Sequence, residues 1–285
     1  MRVGASALLL EKVPPPRLAD LAAEHSATIL FTAPAGYRSM LAAGRAPQLA
    51  RLRRCVSAGE HLPRTVYEDV LRRTGIRVID GIGSTEMVHI FIASADDDIR
   101  PGATGRPVPG YQAAVLDEHG DPVPDGAAGR PAVRGPTGCR YLDDPRQSTY
   151  VRDGWNLTGD VFVRDAEGYY WFQARHDDII ISAGYKIAGP EVEEVLLTHA
   201  GVREAAVVGA PDPVRGTVVK AFVVLDEALS GDERMAGELR ELVRATIAGY
   251  KCPRQIEFVS MLPHTSTGKV QRGVLRELGT ALPTG

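Results

Sequence analysis

Thr28-Ile29-Leu30-Phe31, Cys55-Val56-Ser57 and Arg77-Val78-Ile79-Asp80 are three short apolar runs, and what lies between them decides the fold. Residues 35–43 carry a helical pattern that stops ahead of Gly44, and residues 65–73 carry another that opens just after Pro63. Apolar runs this short, rich in β-branched and aromatic residues, read as buried strands. Strand and helix in alternation predict an α/β layer with a parallel sheet. Ligands of such sheets gather at the carboxyl ends of the strands, which places the loops at 57–60 and 81–87 on one functional edge.

The pattern changes downstream. Residues 111–117, 131–135, 161–164 and 169–173 are strand-like, separated by turn sequences such as Glu118-His119-Gly120-Asp121 and Asp165-Ala166-Glu167-Gly168. This predicts antiparallel β, a small barrel or distorted sheet. The last third reads as a small α+β unit. Pro190 suits a first helical turn, with Glu191, Glu193 and Glu194 near the positive helix end and Val192, Val195 and Leu196 on an apolar face. Strands at 205–209 and 218–225 follow, and Leu239, Leu242, Val243 and Ile247 recur at helical spacing. A boundary is expected near Arg175-His176-Asp177-Asp178, dividing the chain into 1–175 and 176–285.

The 285 residues are 44% hydrophobic, enough for one large or two modest cores. A formal net charge of -3 offers no basic surface for a nucleic-acid backbone. Asp96-Asp97-Asp98 and Arg53-Arg54 read as solvated surface. Cys55, Cys139 and Cys252 are too few and too scattered for a disulfide framework or metal cluster, and fit a reducing cytoplasm. No apolar run approaches the roughly 20 residues that would span a bilayer. The apolar stretch at 5–10 is short for a signal peptide, and residues 11–16 read as a loop inside a domain.

Four motifs could carry chemistry. In Asp80-Gly81-Ile82-Gly83-Ser84-Thr85-Glu86, glycines let the backbone approach a nucleotide, a Thr hydroxyl can bond a phosphate and a carboxylate can hold Mg²⁺. A Gly-rich turn after a strand serves equally as a plain turn. In Gly154-Trp155-Asn156-Leu157-Thr158-Gly159-Asp160, the Asp can accept both hydroxyls of a ribose or cap its own turn. Arg175-His176-Asp177-Asp178, followed by Ser182-Ala183-Gly184-Tyr185-Lys186, offers a guanidinium fork to a ribose or phosphate, or an interdomain ion pair. In Pro263-His264-Thr265-Ser266-Thr267-Gly268-Lys269-Val270-Gln271-Arg272, a Lys can swing a charge onto a phosphate or simply face solvent. The residue order is not that of a Walker loop.

Each motif alone is ambiguous; their order and separation together are not. From about Thr28 to Arg276 the sequence resembles the adenylate-forming superfamily of acyl-CoA synthetases, luciferases and peptide-synthetase adenylation domains. Residues 80–91 and 136–155 look most like benzoate-CoA and 2-aminobenzoate-CoA ligases. The resemblance implies the C-terminal portion of a large AMP-binding domain, made of an α/β layer and a small antiparallel β-barrel. A small, mobile α+β lid domain would follow. It implies ATP or AMP, Mg²⁺ and CoA as cofactors and co-substrates, and a small aromatic carboxylate, benzoate or 2-aminobenzoate, as acyl donor.

By motif match, Lys269 and Glu86 are the implied catalytic residues, Glu86 holding Mg²⁺ and Lys269 bridging carboxylate and α-phosphate. Gly59, Glu60, Asp80, Gly81, Ile82, Gly83, Ser84 and Thr85 would border the nucleotide, with Asp160 on the ribose and Arg175 assisting. Tyr37, Ala58, Gly83, His89 and Ile90 would line the acyl slot, where small and apolar residues suit a flat ring. Core packing would explain Tyr37 and Ile90 equally well, and a structural role would explain His89. Asp177 matches the hinge, and Ser182, Gly184 and Tyr185 the loop that borders CoA after the small domain rotates. Ile82 stands where most relatives carry an aromatic residue against adenine. The family's Ser/Thr/Gly-rich phosphate loop is not found in residues 1–27. The expectation is therefore a chain that does not make acyl-AMP alone: a truncated ligase, one half of a split ligase completed by another chain, or a non-catalytic binding protein. Apolar surface, and partnership with an N-terminal complementing chain or a second copy, are expected to follow.

Overall fold

The computed structural model describes residues 4–11, 13–213, 216–265 and 269–280. Residues 266–268, the Ser-Thr-Gly of the fourth motif, lie outside the described residues, as does part of the N-terminal stretch.

The predicted α/β layer is present. Strands β1 (Ile29–Thr32), β2 (Arg54–Ala58) and β3 (Val78–Gly83) run parallel, with Ile29 opposite Arg54 and Cys55 opposite Val78. β4 (Ile90–Ala93) and β5 (Arg106–Pro107) extend the sheet antiparallel. Helix α1 (Pro15–Glu24) begins inside the stretch expected to be a loop. Its opening prolines belong to the first turn, where their missing N–H groups cost nothing. With α2 (Pro34–Ala42), α3 (Ala46–Leu49) and α4 (Arg64–Thr74) it packs over Leu30, Cys55 and Val78.

One strand departs from expectation. β1 is at the sheet edge, and its burial alternates: Leu30 is 6% exposed, but Ile29 and Phe31 are 41% and 57% exposed. Four apolar residues in a row look buried on both faces, and periodicity cannot show that one face lacks a neighbour.

The middle region is antiparallel, as read. β6 (Gln112–Leu116), β7 (Ala128–Arg134), β8 (Val151–Arg152), β9 (Trp155–Leu157), β10 (Asp160–Arg164) and β11 (Tyr170–Arg175) form one curved sheet, with α5 (Arg146–Tyr150) ahead of β8. Phe162 and Tyr170 pack with Phe91, Ile92 and Val133, joining this sheet to the α/β layer.

After Arg175 the hairpin β12 (Ile180–Ser182) and β13 (Tyr185–Ile187) leads into α6 (Gly189–Leu196). β14 (Val202–Asp212) pairs antiparallel with β15 (Gly216–Leu225), and β16 (Gln255–Phe258) adds in parallel. Helix α7 (Glu233–Thr246) buries Met235, Ala236, Leu239 and Val243 on one face of that sheet. Asp232 caps it, accepting the Met235 N–H at 2.8 Å. Helix α8 (Arg272–Thr280) places Leu275 on the other face, beside Phe222 and Leu262. The clusters under Ile180 and Leu275 draw only on residues past 176, whereas those under Leu30 and Phe162 draw only on residues before it.

A half-buried ion pair braces this last part. Arg272 Nη2 donates to both carboxylate oxygens of Glu193 at 2.7 Å, and Glu193 also accepts the Val207 N–H at 2.7 Å.

Candidate functional site

The carboxyl ends of β2 and β3 form the floor of the site. Both strands stop where their loops must face something other than a neighbouring strand. Gly83 is demanded by close approach: a Cβ there would lie 2.5 Å from the His89 carbonyl oxygen. This brings β4 against the end of β3, and residues 84–89 fold over in a tight loop. Ser84 Oγ accepts the Met87 N–H at 3.2 Å and lies 3.4 Å from the Tyr150 hydroxyl. Met87 is fully buried, while Thr85 and His89 are exposed.

Glu86 is half-buried and accepts a 2.5 Å hydrogen bond from the Tyr141 hydroxyl. That bond holds its pKa below the usual glutamate value. The Tyr141 ring meets Tyr150 edge-on at 5.9 Å, and the Arg146 guanidinium lies 4.8 Å from its centre. The loop before α5 is thus folded onto the acidic end of the β3–β4 turn. Tyr141 and Tyr150 lie within the stretch 136–155 that carries the ligase resemblance, but no local pattern marks them as neighbours of Glu86.

Asp160 opens β10 directly opposite Arg175, the last residue of β11. Their side chains form an ion pair at 3.5 Å. Burial raises the Asp160 pKa, and Arg175 counteracts it. Gly159 is tight beneath the guanidinium: a Cβ would lie 2.8 Å from Arg175 Nη2.

Lys269 arrives from the far end of the chain. Pro263 O accepts the Gln271 N–H and Lys269 O accepts the Thr265 N–H, each at 2.8 Å, forming a narrow hairpin. Its lysine lies against Gly59, which has φ of 91°; a Cβ there would be 3.3 Å from Lys269 Cε and 3.6 Å from Nζ. The positive charge bears on both Glu60 and Asp160. Glu60 Oε1 accepts the Val270 N–H at 3.2 Å. Burial raises the Glu60 pKa, opposed by that N–H and by Arg38, Arg272 and Lys269.

Gly59, Glu60, Asp160, Arg175 and Lys269 are therefore brought together. Ile82 and Gly83 end β3, and Ser84, Thr85 and Glu86 follow on the adjoining turn. Ala58 and Ile90 are half-buried at the same strand ends, with Gly81 behind Ile90: a Cβ there would lie 2.8 Å from the Ile90 side chain. Asp80 is 8% exposed; its carboxylate Oδ1 is buried without a hydrogen-bond partner, and the Gly81 and Leu62 amides and the Thr104 hydroxyl only partly offset the effect of burial on it. It ties the 59–62 loop to β3 from beneath.

Tyr37 must be corrected. It is fully buried in the α2–α4 core, and its hydroxyl donates to the Val56 carbonyl at 2.9 Å. No surface remains for an acyl group; an aromatic residue one turn into α2 falls on the face that covers the sheet.

The CoA-loop residues lie elsewhere, whereas Asp177 stays beside the site, its carboxylate 3.5 Å from the Arg175 guanidinium. Asp177 sits in the turn after β11, its carbonyl accepting from Arg276 at 3.0 Å. Ser182 Oγ donates to the Thr217 carbonyl at 2.8 Å, and Tyr185 stacks on Tyr250 at 4.3 Å. Ser182 and Tyr185 line a separate cavity of about 460 Å³ with Arg240, Arg244 and Arg254, and Gly184 lies in the intervening turn with φ of 84°. Among the described residues no cluster of three or more His, Cys, Asp or Glu side chains could hold a metal, and no helix is long and apolar enough to cross a membrane.

The buried carboxyl of Asp80 gives a pH prediction. Burial pushes its pKa up to about 8 from a model-peptide carboxyl near 4. The folded chain thus holds a proton that the unfolded chain has lost, so its stabilising contribution falls as pH rises from about 4 to about 8. Asp80→Asn removes that slope. In urea titrations from pH 5 to pH 9 the variant should gain stability relative to the wild type, and parallel curves would contradict the assignment.

Residues 1–140 match the AMP-binding enzyme family and residues 191–269 match the AMP-binding enzyme C-terminal domain. The chain is 39% identical over 282 residues to the benzoate–CoA ligase of Thauera aromatica, covering 97% of this chain and 54% of that protein. It is 40% identical over 268 residues to the mitochondrial acyl-coenzyme A synthetase ACSM4 of Rattus norvegicus, covering 90% and 46%. Among solved structures, the anthranilate CoA ligase AuaEII in complex with anthranoyl-AMP superposes with a TM-score of 0.91 at 37% identity, over 97% of this chain and 55% of that one. A benzoate CoA ligase from Burkholderia xenovorans gives 0.88 at 38% identity, over 96% and 56%. The chain spans about half the length of the relatives it matches. With its two matched segments, its fold and its motif order in agreement, the chain belongs to the AMP-binding, adenylate-forming acyl-CoA synthetase family.

Proposed function

We propose that this chain carries the nucleotide-facing part of an AMP-forming acid–thiol ligase for aromatic carboxylates. The observation that supports it most is the convergence of Lys269, Gly59, Glu60, Asp160 and Arg175 from four separate stretches of sequence. In the proposed reaction a carboxylate oxygen attacks the α-phosphorus of ATP and pyrophosphate leaves. The CoA sulfur then attacks the acyl carbon and AMP leaves. Asp160 accepts the ribose hydroxyls, with Arg175 holding its carboxylate in place. Lys269 places its ammonium where negative charge gathers between the carboxylate and the α-phosphate. Thr85, exposed at the turn, donates to a phosphate oxygen.

Glu86 fits a divalent cation: it is kept ionised by the Tyr141 hydroxyl, and Mg²⁺ is normally held by one or two carboxylates together with substrate phosphates. Bound there, Mg²⁺ would neutralise phosphate charge. Residues 176–285 would turn about Asp177 between the two steps, exchanging the Lys269 hairpin for the Ser182–Gly184–Tyr185 loop. Three free cysteines suit a reducing cytoplasm as its location.

The aryl preference rests on the small and apolar residues Ala58, Gly83 and Ile90 at the strand ends with His89 beside them, and on relatives described as benzoate and anthranilate ligases. It predicts that a benzoyl-adenylate analogue binds at least about tenfold more tightly than a hexanoyl one, roughly the discrimination a shaped apolar pocket provides. Competition by fluorescence polarisation measures the ratio, and a preference for hexanoyl would remove the aryl assignment.

A second reading keeps this site and completes it with another polypeptide. Edge strand β1, exposing Ile29 and Phe31, favours it.

A further inference from the structure

Beside the Gly59–Lys269 contact, the stretch from β2 to the start of α4 makes two hydrogen bonds to the C-terminal part, and the two are reciprocal. At one, Glu60 accepts the Val270 N–H at 3.2 Å. His264 and Val270 face each other across the hairpin, whose own bonds run through Thr265–Lys269 and Gln271–Pro263, so the Val270 N–H points outward. At the other, Glu194 Oε1 accepts the Arg64 N–H at 3.3 Å. Arg64 is the first residue of α4. Its preceding Pro63 provides no side-chain cap, and α4 has no acidic residue in its first turn. A carboxylate from the other part of the chain therefore accepts one of the free N–H groups of the first turn, at the positive end of the helix.

Glu60 and Arg64 are four residues apart on one loop. Glu194 and Val270 lie on different elements, α6 and the hairpin before α8. The Glu193–Arg272 pair locks those two elements together, one residue before Glu194 and two after Val270. A rigid frame thus presents one acceptor and one donor to a short loop that presents the complementary donor and acceptor. Two such bonds fix an orientation; one leaves a pivot.

We propose that Glu60 and Glu194 form a reciprocal carboxylate clasp that holds the C-terminal part in the orientation placing Lys269 beside Gly59 and Asp160. Both are positioning residues for the adenylate-forming step, and Glu194 acts entirely through the frame. The clasp rests on the reading that Lys269 serves that step, but its geometry can be tested without ligand.

The test is amide-resolved hydrogen exchange on the whole chain, comparing wild type with Glu194→Ala and Glu194→Gln. Loss of a hydrogen bond to a charged acceptor should speed exchange at Arg64 by about tenfold or more in the alanine variant. Because the clasp is two-point, Val270, which Glu194 does not touch, should speed up severalfold as well. Glutamine retains an acceptor and should restore most of the protection at both amides. The core amide of Val223 should stay at the wild-type rate. Acceleration at Arg64 alone, or an equal acceleration at Val223, would overturn the proposal. Failure of the ligase reading would show separately, as absent binding of the adenylate analogue with the exchange pattern intact.

Discussion

Replacing Glu193 by alanine should destabilise the chain by about 2 kcal/mol, below the cost of removing one partner from a fully buried ion pair because this one keeps some contact with water. Arg272 would then be left with a largely buried guanidinium and no carboxylate, since both of its short bonds go to Glu193. The Val207 N–H would lose its acceptor as well. The pair ties α6 to α8 across the middle of β14, so the loss should fall on the C-terminal part and not on the α/β layer. Chemical denaturation followed by tryptophan and by exchange at Val223 would separate the two: early unfolding of residues past 176 is expected. A change below about 0.5 kcal/mol, the size of an ordinary surface substitution, would mean the pair is screened and the frame is held by packing alone.

Lys269→Ala should weaken binding of a benzoyl-adenylate analogue by about tenfold to a hundredfold, the range expected for losing a charge-assisted contact to a phosphate. The loss should diminish at high ionic strength, because the charge of an exposed lysine is screened by salt. Lys269→Arg should recover part of the affinity, since it keeps the charge but presents a planar fork in place of a compact ammonium. The hairpin itself should persist in both variants, because its bonds run through the main chain of Thr265, Lys269, Gln271 and Pro263. Competition titration measures all three proteins, and equal affinities would place Lys269 outside the site.

The parallel layer was legible in the sequence because its strands and helices carry clear periods and turn residues. The antiparallel region was legible from its turns. What the sequence concealed depends on which surfaces meet. Ile29 and Phe31 read as buried because nothing local reveals an edge. Tyr37 read as an acyl contact, yet helix phase turns it into the core. α8 and β16 were missed: α8 follows a polar, Gly-containing hairpin, and β16 joins its sheet only through pairing with the distant β15. The motif residues Glu86, Asp160, Arg175 and Lys269 were all picked out, but only as types at spacings. Their companions Tyr141, Val270 and Glu194 act through a hydroxyl, a main-chain N–H and a helix end, none of which leaves a pattern along the chain.

The central claim is that the ends of β2 and β3, Asp160 and the Lys269 hairpin form one nucleotide-binding site. Calorimetric titration of a benzoyl-adenylate analogue into the folded chain, beside its Asp160→Ala variant, tests it most directly. Saturable 1:1 binding to the wild type is expected, with at least about tenfold weaker binding to the variant, which loses the proposed acceptors for both ribose hydroxyls. Equal affinity in the two proteins, or no binding to a wild-type chain shown to be folded, would contradict it.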